Sequence, residues 1–451
     1  MEDANANPED LRQAQQMIVQ AFRGDLEELL RQRPDFLAQP SDDEAIFGLA
    51  DKAIRDYLAT AARSSGMPRL SRPQLLETRR WLYITHSALG PLGELLAIDG
   101  VEDIHINGTR GGYLEFGDHR APLPVRYQSE EELVRSVRWY AEQSGKHFDP
   151  SNPVVTVTLR DGSRINAILP PVAKPMVVTI RRHQVQRFLD LEDLLREGTI
   201  PDATIPLFRA AVQARLNIVL AGPTGSGKTT FARILALLIP KGERTCVLET
   251  ECELWLHDLR EDDFFSLEER EANVENAGRV TLQDLFQRGA LRQRPRRIIV
   301  GEVRGHEALD MLHAMTSGHD GSLTTVHASS ARLALHRLQM LAMSADPNLA
   351  PSIVSQMVGT GIDLVVHLGM FQRGERSVRR LASVGFVDHN IEDPSNGPVL
   401  QEVCRYRVVD DEWHWDLDTL RFLPDKIRAK LEAAGIDDHR LRLRVMGRDE
   451  S

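Results

Sequence analysis

Cysteine is scarce: Cys246, Cys252 and Cys404 are the three in 451 residues, an odd number with no Cys-x-x-Cys pair. That excludes a disulfide framework and suits a reducing cytosol. Long apolar runs are missing too. Stretches such as residues 234–239 end far short of the roughly 18 residues that a membrane-spanning helix needs. The opening MEDANANPED is acidic and polar, which excludes an ordinary secretory leader. Positive charge is not in excess either: 55 Lys and Arg stand against 66 Asp and Glu, a net −11. A dedicated nucleic-acid binder carries a basic footprint, so the balance disfavours that class while leaving room for a local basic groove. Internal repeats and low-complexity runs are absent. The expectation is a soluble chain, long enough for two or three domains, that reaches a membrane only through partners.

What the chain does have is a succession of periodicities. Residues 11–66 read as helices, with Leu11, Ile18, Leu26, Leu29 and Leu30 on a 3.6 period that Arg33-Pro34-Asp35 breaks. Ser, Pro, Gly and Arg at 64–73 read as a linker. Residues 74–183 look mixed α/β, with alternation at 101–107, a turn at 108–112 and a helix at 130–143. β-Branched runs at 154–159 and 165–169 flank Asp161-Gly162, a hairpin signal because the turn needs residues that tolerate positive φ. A third strand follows at 176–180. From Leu207 onward, strands at 217–221, 245–249, 297–300 and 322–326 alternate with helices at 229–239, 281–293, 307–316 and 331–343. Such alternation predicts a mostly parallel sheet covered on both faces. Beyond 389 the regularity fades, leaving two exposed-looking tryptophans, Trp413 and Trp415, and an amphipathic helix at 424–434.

The sharpest motif is Gly222-Pro223-Thr224-Gly225-Ser226-Gly227-Lys228-Thr229, the pattern G-x-x-x-x-G-K-[ST] between an apolar strand and a helix. Its glycines let the backbone wrap so that amide N–H groups face a bound phosphate, and the helix N-terminus adds partial positive charge. Lys228 is placed to bridge β- and γ-phosphates, and the Thr229 hydroxyl to sit on Mg²⁺. The bland alternative is a Gly-rich turn without a ligand.

Hydrolysis also needs carboxylates and positive charge near the γ-phosphate. Arg297-Ile298-Ile299-Val300-Gly301-Glu302 is an apolar strand ending in a carboxylate; Gly301 fills the usual Asp position, so Glu302 must serve as the Walker B acid. Glu249, Glu251 and Glu253 alternate directly after another strand, which puts them on one face if the chain stays extended. A solvated acidic strand end is the rival reading. His327 follows the strand at 322–326 and is open to both a γ-phosphate contact and a structural role. His306, His313 and His319 contain no i,i+4 pair and no cysteine joins them, which speaks against zinc. Arg292, Arg294, Arg296 and Arg297 form a basic cluster that is open to three readings: a solvated face, a nucleic-acid contact, or charge supplied across a subunit boundary.

These motifs in this order resemble the type II/IV secretion ATPases of the GspE-like superfamily, most closely the CpaF-like branch of Tad pilus assembly ATPases. The resemblance spans roughly residues 75–389. It is carried by Gly90-Pro91-Leu92-Gly93-Glu94-Leu95-Leu96, Val101-Glu102-Asp103-Ile104-His105-Ile106-Asn107-Gly108, Asp161-Gly162-Ser163-Arg164-Ile165-Asn166-Ala167 and Thr179-Ile180-Arg181. Farther on it rests on the phosphate loop, residues 249–254, Ala290-Leu291-Arg292, Ile299-Val300-Gly301-Glu302-Val303-Arg304-Gly305 and the run from Ser317-Gly318-His319 to His327-Ala328.

The resemblance implies an α/β fold: a RecA-like P-loop ATPase domain with a mainly parallel sheet, preceded by a smaller α/β N-terminal domain and a helical N-terminal extension. The division expected is 1–72, 73–190, 191–390 and a C-terminal tail at 391–451. It implies ATP and Mg²⁺ as ligands, with residues 222–229, Thr230, Arg292 and Arg304 on the nucleotide and Thr229 and Glu302 on the metal. Glu249 and Glu253 match an acidic motif that orients or deprotonates water, Glu302 the Walker B glutamate, and His327 the end of the His box. Arg181 matches an N-domain arginine that reaches the nucleotide. A homo-hexamer is implied, cytoplasmic and peripheral to the inner membrane through a platform protein, with no direct nucleic-acid contact. Thr250 replaces a usual Asp (with Glu251 beside it to compensate), Arg296 replaces another, and Lys146 stands where Arg is usual. Those departures bear on rate more than on reaction. Two alternatives stand beside the motor: a nucleic-acid motor of conjugative type IV secretion, and a nucleotide-gated ring with little turnover.

Overall fold

The structure is a computed structural model. It describes residues 8–33, 43–64, 67–68, 70–72, 74–76, 78–79, 82, 91–96, 98, 100–116, 119–124, 127, 129–159, 162–182, 188–270, 272, 277–373, 376–388, 397–409, 412–416 and 423–445. Gly90, Asp161, His183 and parts of the expected linker lie outside the described residues. The chain forms two compact units, Met1–Arg187 with Asn273–Glu275, and Phe188–Ala272 with Asn276–Ser451.

In the first unit, the helices Pro8–Gln32 and Asp43–Ala61 bury one stripe each. Ala14, Ile18, Phe22 and Leu26 recur every four residues on the first, and Ile46, Ala50, Ala53 and Tyr57 line the second, the spacing of one helical face. They belong to the same core as an antiparallel sheet. That sheet is β1 (Asp103–Asn107), β2 (Gly112–Glu115), β3 (Arg120–Pro122), β4 (Val154–Thr158), β5 (Arg164–Ile168) and β6 (Val177–Arg181), in the order β3-β2-β1-β6-β5-β4. Alternating burial along β1, β5 and β6 marks a sheet with one covered face. The helix Glu130–Gln143 starts where Ser129 accepts the Glu132 N–H, with three glutamates in its first turn, a favourable pairing with the helix dipole.

The second unit is built on a nine-stranded sheet among the described residues, ordered β15-β14-β13-β12-β7-β11-β10-β8-β9. Its parallel part comprises β7 (Ile218–Gly222), β8 (Thr245–Glu249), β9 (Phe264–Glu268), β10 (Arg297–Val300), β11 (Leu323–His327) and β12 (Leu364–Arg373). Every residue of β7, β8 and β10 is buried, as expected of strands covered on both faces. One face packs on the helices Ile205–Gln213 and Lys228–Leu237. The other packs on Glu307–Thr316, Ala331–Ala345 and Pro351–Gly361.

Past β12 the sheet turns antiparallel through β13 (Arg376–Asp388), β14 (Val399–Val409) and β15 (Glu412–Asp416). The fading regularity expected beyond 389 is therefore not what the chain does: β14 and β15 lengthen the same sheet. Trp415, read as exposed, is half-buried against that core, and its Nε1–H donates to the Leu381 carbonyl at 2.9 Å. The segment 281–293, expected as one helix, widens to π geometry at Leu285–Gly289 and tightens to 3₁₀ at Ala290–Gln293.

Candidate active site

The loop Gly222–Thr229 joins β7 to the helix Lys228–Leu237. Gly227 stands just before that helix with φ +93°, a left-handed conformation that glycine adopts without a Cβ penalty. Pro223, Thr224 and Gly225 are exposed, Ser226 and Lys228 buried, and Thr229 and Thr230 half-buried. Lys228 Nζ donates to the Pro223 carbonyl at 3.0 Å and lies 3.3 Å from His327 Nδ1. An ammonium can only donate, so Nδ1 is the acceptor and the imidazole proton sits on Nε2. That Nε2 is 2.9 Å from Glu302 Oε1, and Glu302 Oε2 accepts from Arg304 Nη2 at 2.7 Å. Partial burial, with the Lys228 charge next in weight, holds the His327 pKa below its ordinary value. The neutral form is the one this chain of contacts uses.

Strand register explains how residues far apart in sequence meet. β11 lies between β7 and β10, with His327 opposite Gly222 and Thr324 opposite Val300. The Thr325 hydroxyl donates to the Gly301 carbonyl at 2.8 Å, and Val303 N–H donates to the Thr325 carbonyl. The turn after β10 is thus pinned to β11, which sets Glu302 against His327.

The acidic segment does not continue in extended form. β8 ends at Glu249, and the expected shared face of Glu249, Glu251 and Glu253 does not form, because Glu249 folds back as an acceptor. Its Oε1 takes the N–H groups of Glu253 and Leu254, both at 2.9 Å. Arg233 in turn donates to the carbonyls of those same two residues, Nε to Leu254 at 3.0 Å and Nη2 to Glu253 at 2.6 Å. The peptide segment is gripped on both sides, and Glu253 Oε2 is presented to the Thr229 hydroxyl at 3.2 Å. Burial pushes the Glu249 carboxyl up to about 7 despite its hydrogen bonds, and its Oε2 is buried without a hydrogen bond among the described residues. Burial likewise lowers the Arg233 guanidinium to about 10. A Cβ on Gly301 would stand 2.9 Å from Glu249 Cγ; the Gly-Glu ending of β10 leaves room for this carboxylate.

Phosphate-loop residues, Glu249, Glu253, Glu302, Arg304 and His327 are thereby brought together. Arg292 is exposed on the 3₁₀ segment Ala290–Gln293, outside these contacts. Arg181 ends β6 in the other unit and is exposed there. The basic cluster splits: Arg292, Arg294 and Arg296 are exposed, whereas Arg297 is buried and pairs with Glu243 at 2.7 and 3.0 Å. His319 Nδ1 lies 2.9 Å from the Pro295 carbonyl oxygen. Arg233 escaped the sequence reading, since one arginine in an amphipathic helix carries no spacing signal.

A glycine-rich loop at a helix N-terminus, on a parallel sheet and facing two carboxylate-bearing turns, defines a RecA-like P-loop nucleotide-binding protein. Residues 86–373 match the family of type II/IV secretion system proteins. The chain belongs to that family. It is 30% identical over 319 residues to the putative conjugal transfer protein Rv3659c of Mycobacterium tuberculosis, covering 69% of this chain and 89% of the relative. It is 29% identical over 328 residues to VirB11 of Agrobacterium fabrum, covering 64% and 91%. Among solved structures, the VirB11 ATPase of Brucella suis is 27% identical over 68% of this chain and 94% of that one, with a TM-score of 0.34. Among the described residues no helix is long and apolar enough to cross a membrane.

Proposed function

We infer that the chain is the hexameric ATPase motor of an envelope machine, of the CpaF-like type that powers assembly of a Tad or type IV-like pilus, or protein secretion. The observation that carries the reading is the run of contacts Lys228–His327–Glu302–Arg304 facing the phosphate loop. Family membership supports it. Lys228 and the loop amides bind the β- and γ-phosphates. The hydroxyl of Thr229 and the carboxylates of Glu253 and Glu302 are the oxygen donors a hard divalent cation takes, so the residues fit Mg²⁺. When bound there, the ion would neutralise charge on the phosphate oxygens. Glu253 orients the attacking water, and Glu249 sets the position of Glu253 by accepting the Glu253 and Leu254 N–H groups. His327 lies against Glu302 and faces the γ-phosphate; Arg304 and Arg292 supply cationic charge during turnover. Assembly as a homo-hexamer on an inner-membrane platform protein, in the cytoplasm, completes the reading.

The test is phosphate release, alone and with the cytoplasmic part of the platform protein. Lys228→Ala should abolish ATP binding. Glu302→Gln should keep binding and lower turnover at least about a hundred-fold, the scale of a lost charge-positioning group. ATP bound but never hydrolysed under either condition would leave the gated ring and remove the motor. A second reading, a conjugative type IV secretion motor, is favoured by the names of relatives such as Rv3659c.

A further inference from the structure

The strands β12 and β13 buttress the phosphate loop from outside, and one of their side chains holds it by a hydrogen bond. A Cβ on Gly222 would stand 2.5 Å from the Leu368 carbonyl oxygen, so β12 backbone lies directly on the start of the loop. Met370 Sδ is 3.7 Å from the Cβ position of Gly225. Directly opposite Met370 in the β12–β13 ladder is Arg379. Its Nε donates to the Gly225 carbonyl at 2.8 Å, and its Cδ is 4.0 Å from the Cβ position of Gly227. Arg379 lies past the end of the matched family region, which closes at residue 373.

We propose that Arg379 is a positioning residue of the nucleotide site, acting through the Gly225–Ser226 peptide. A trans peptide points its C=O and its N–H in opposite directions. Holding the Gly225 carbonyl outward therefore turns the Ser226 N–H toward the inside of the loop. That direction is visible: Ser226 N–H points at the Pro223 carbonyl at 3.3 Å, the same oxygen that accepts from Lys228 Nζ at 3.0 Å. An amide and the ammonium thus converge on one point, where a phosphate oxygen would take both. Without the Arg379 bond, glycine at 225, whose φ is +76°, leaves the peptide free to rotate and the amide has to be reoriented on each binding event. The proposal rests on the loop binding a triphosphate.

Two variants separate the hydrogen bond from the charge. Gln carries an N–H donor one bond beyond Cδ, where Arg has Nε, but no charge; Met has the same length and no donor. We expect Arg379→Met to weaken binding of a fluorescent ATP analogue about three- to ten-fold, the effect of one hydrogen bond. KM for ATP should rise to match with kcat changed less than about two-fold, because binding is lost equally before and during the reaction. Arg379→Gln should stay within about two-fold of the parent, and the melting temperature without nucleotide should be the same for all three. Equal weakening by Gln and Met would overturn the proposal in favour of charge, and no weakening by Met would overturn it outright. Lys228→Ala is measured alongside: if the parent chain binds no more analogue than this variant, the triphosphate reading itself fails.

Discussion

Glu249 shows how a single side chain in this site trades stability for chemistry. Its folded pKa of about 7 stands above the ordinary 4.5 because it is buried. The folded state therefore holds that proton more tightly than the unfolded state. The resulting contribution to stability is present in full below about pH 4.5 and is lost as pH rises through 7. Glu249→Gln keeps an oxygen for the Glu253 and Leu254 amides and removes the buried charge. We expect it to be more stable than the parent at pH 8, by on the order of 2 kcal/mol, with the gap closing toward pH 5, while phosphate release falls. Urea unfolding at the two pH values reads the difference; a variant less stable at pH 8 would contradict the burial argument. The loop and Glu302 stand out in the sequence because local spacing and a preceding strand mark each, whereas His327, open between two roles on its own residues, stands out only through the resemblance. Arg233 and Arg379 do not stand out. Arg379 meets Gly225 across 154 residues, and nothing along the chain marks such a meeting.

Elements divide in the same way. β7, β8 and β10 are short, wholly buried runs, so apolar composition alone gives them away. β12 to β14 are long and carry Arg, Gln and Ser at intervals, a half-wet pattern that reads as irregular until their pairing is known. The helix Asp425–Ala433 was visible as amphipathic, but its anchor was not. Lys430 Nζ bonds Asp320 Oδ1 and Asp363 Oδ2, both at 2.6 Å. Asp363 Oδ2 also accepts the Asn217 N–H, and Asn217 Oδ1 accepts from Gly321 and Ser322. One lysine thus ties the end of the chain to the starts of β7, β11 and β12. Lys430→Ala should cost about 2 kcal/mol, below the usual loss for a broken buried pair, because Lys426 remains 3.6 Å from Asp363. Faster hydrogen exchange at β7 and β12 amides would report it, and unchanged protection would show that the anchor is dispensable.

At the scale of the whole molecule, charge discriminates between the two kinds of motor. The chain carries a net −11, and of the four arginines before Walker B, Arg297 is consumed by Glu243. Arg292, Arg294 and Arg296 remain exposed, a short patch against the six to ten phosphate contacts that make binding fall roughly 10³- to 10⁵-fold between 50 and 200 mM salt. A motor that tracks DNA would need that salt slope; a motor that pushes on a platform protein would not. Phosphate release by the purified protein should therefore be unmoved by single- or double-stranded DNA at 50 mM salt, yet rise with the platform protein's cytoplasmic part. DNA stimulation that vanishes by 200 mM would transfer the assignment to the conjugative class. Assembly is measured on the same sample: with a non-hydrolysable ATP analogue the mass should move to six chains. A mass that stays at one chain would leave the phosphate site intact and remove the ring. Because Lys228→Ala cannot bind the analogue, its mass should remain that of the apo form, which ties assembly to the loop and not to solution conditions.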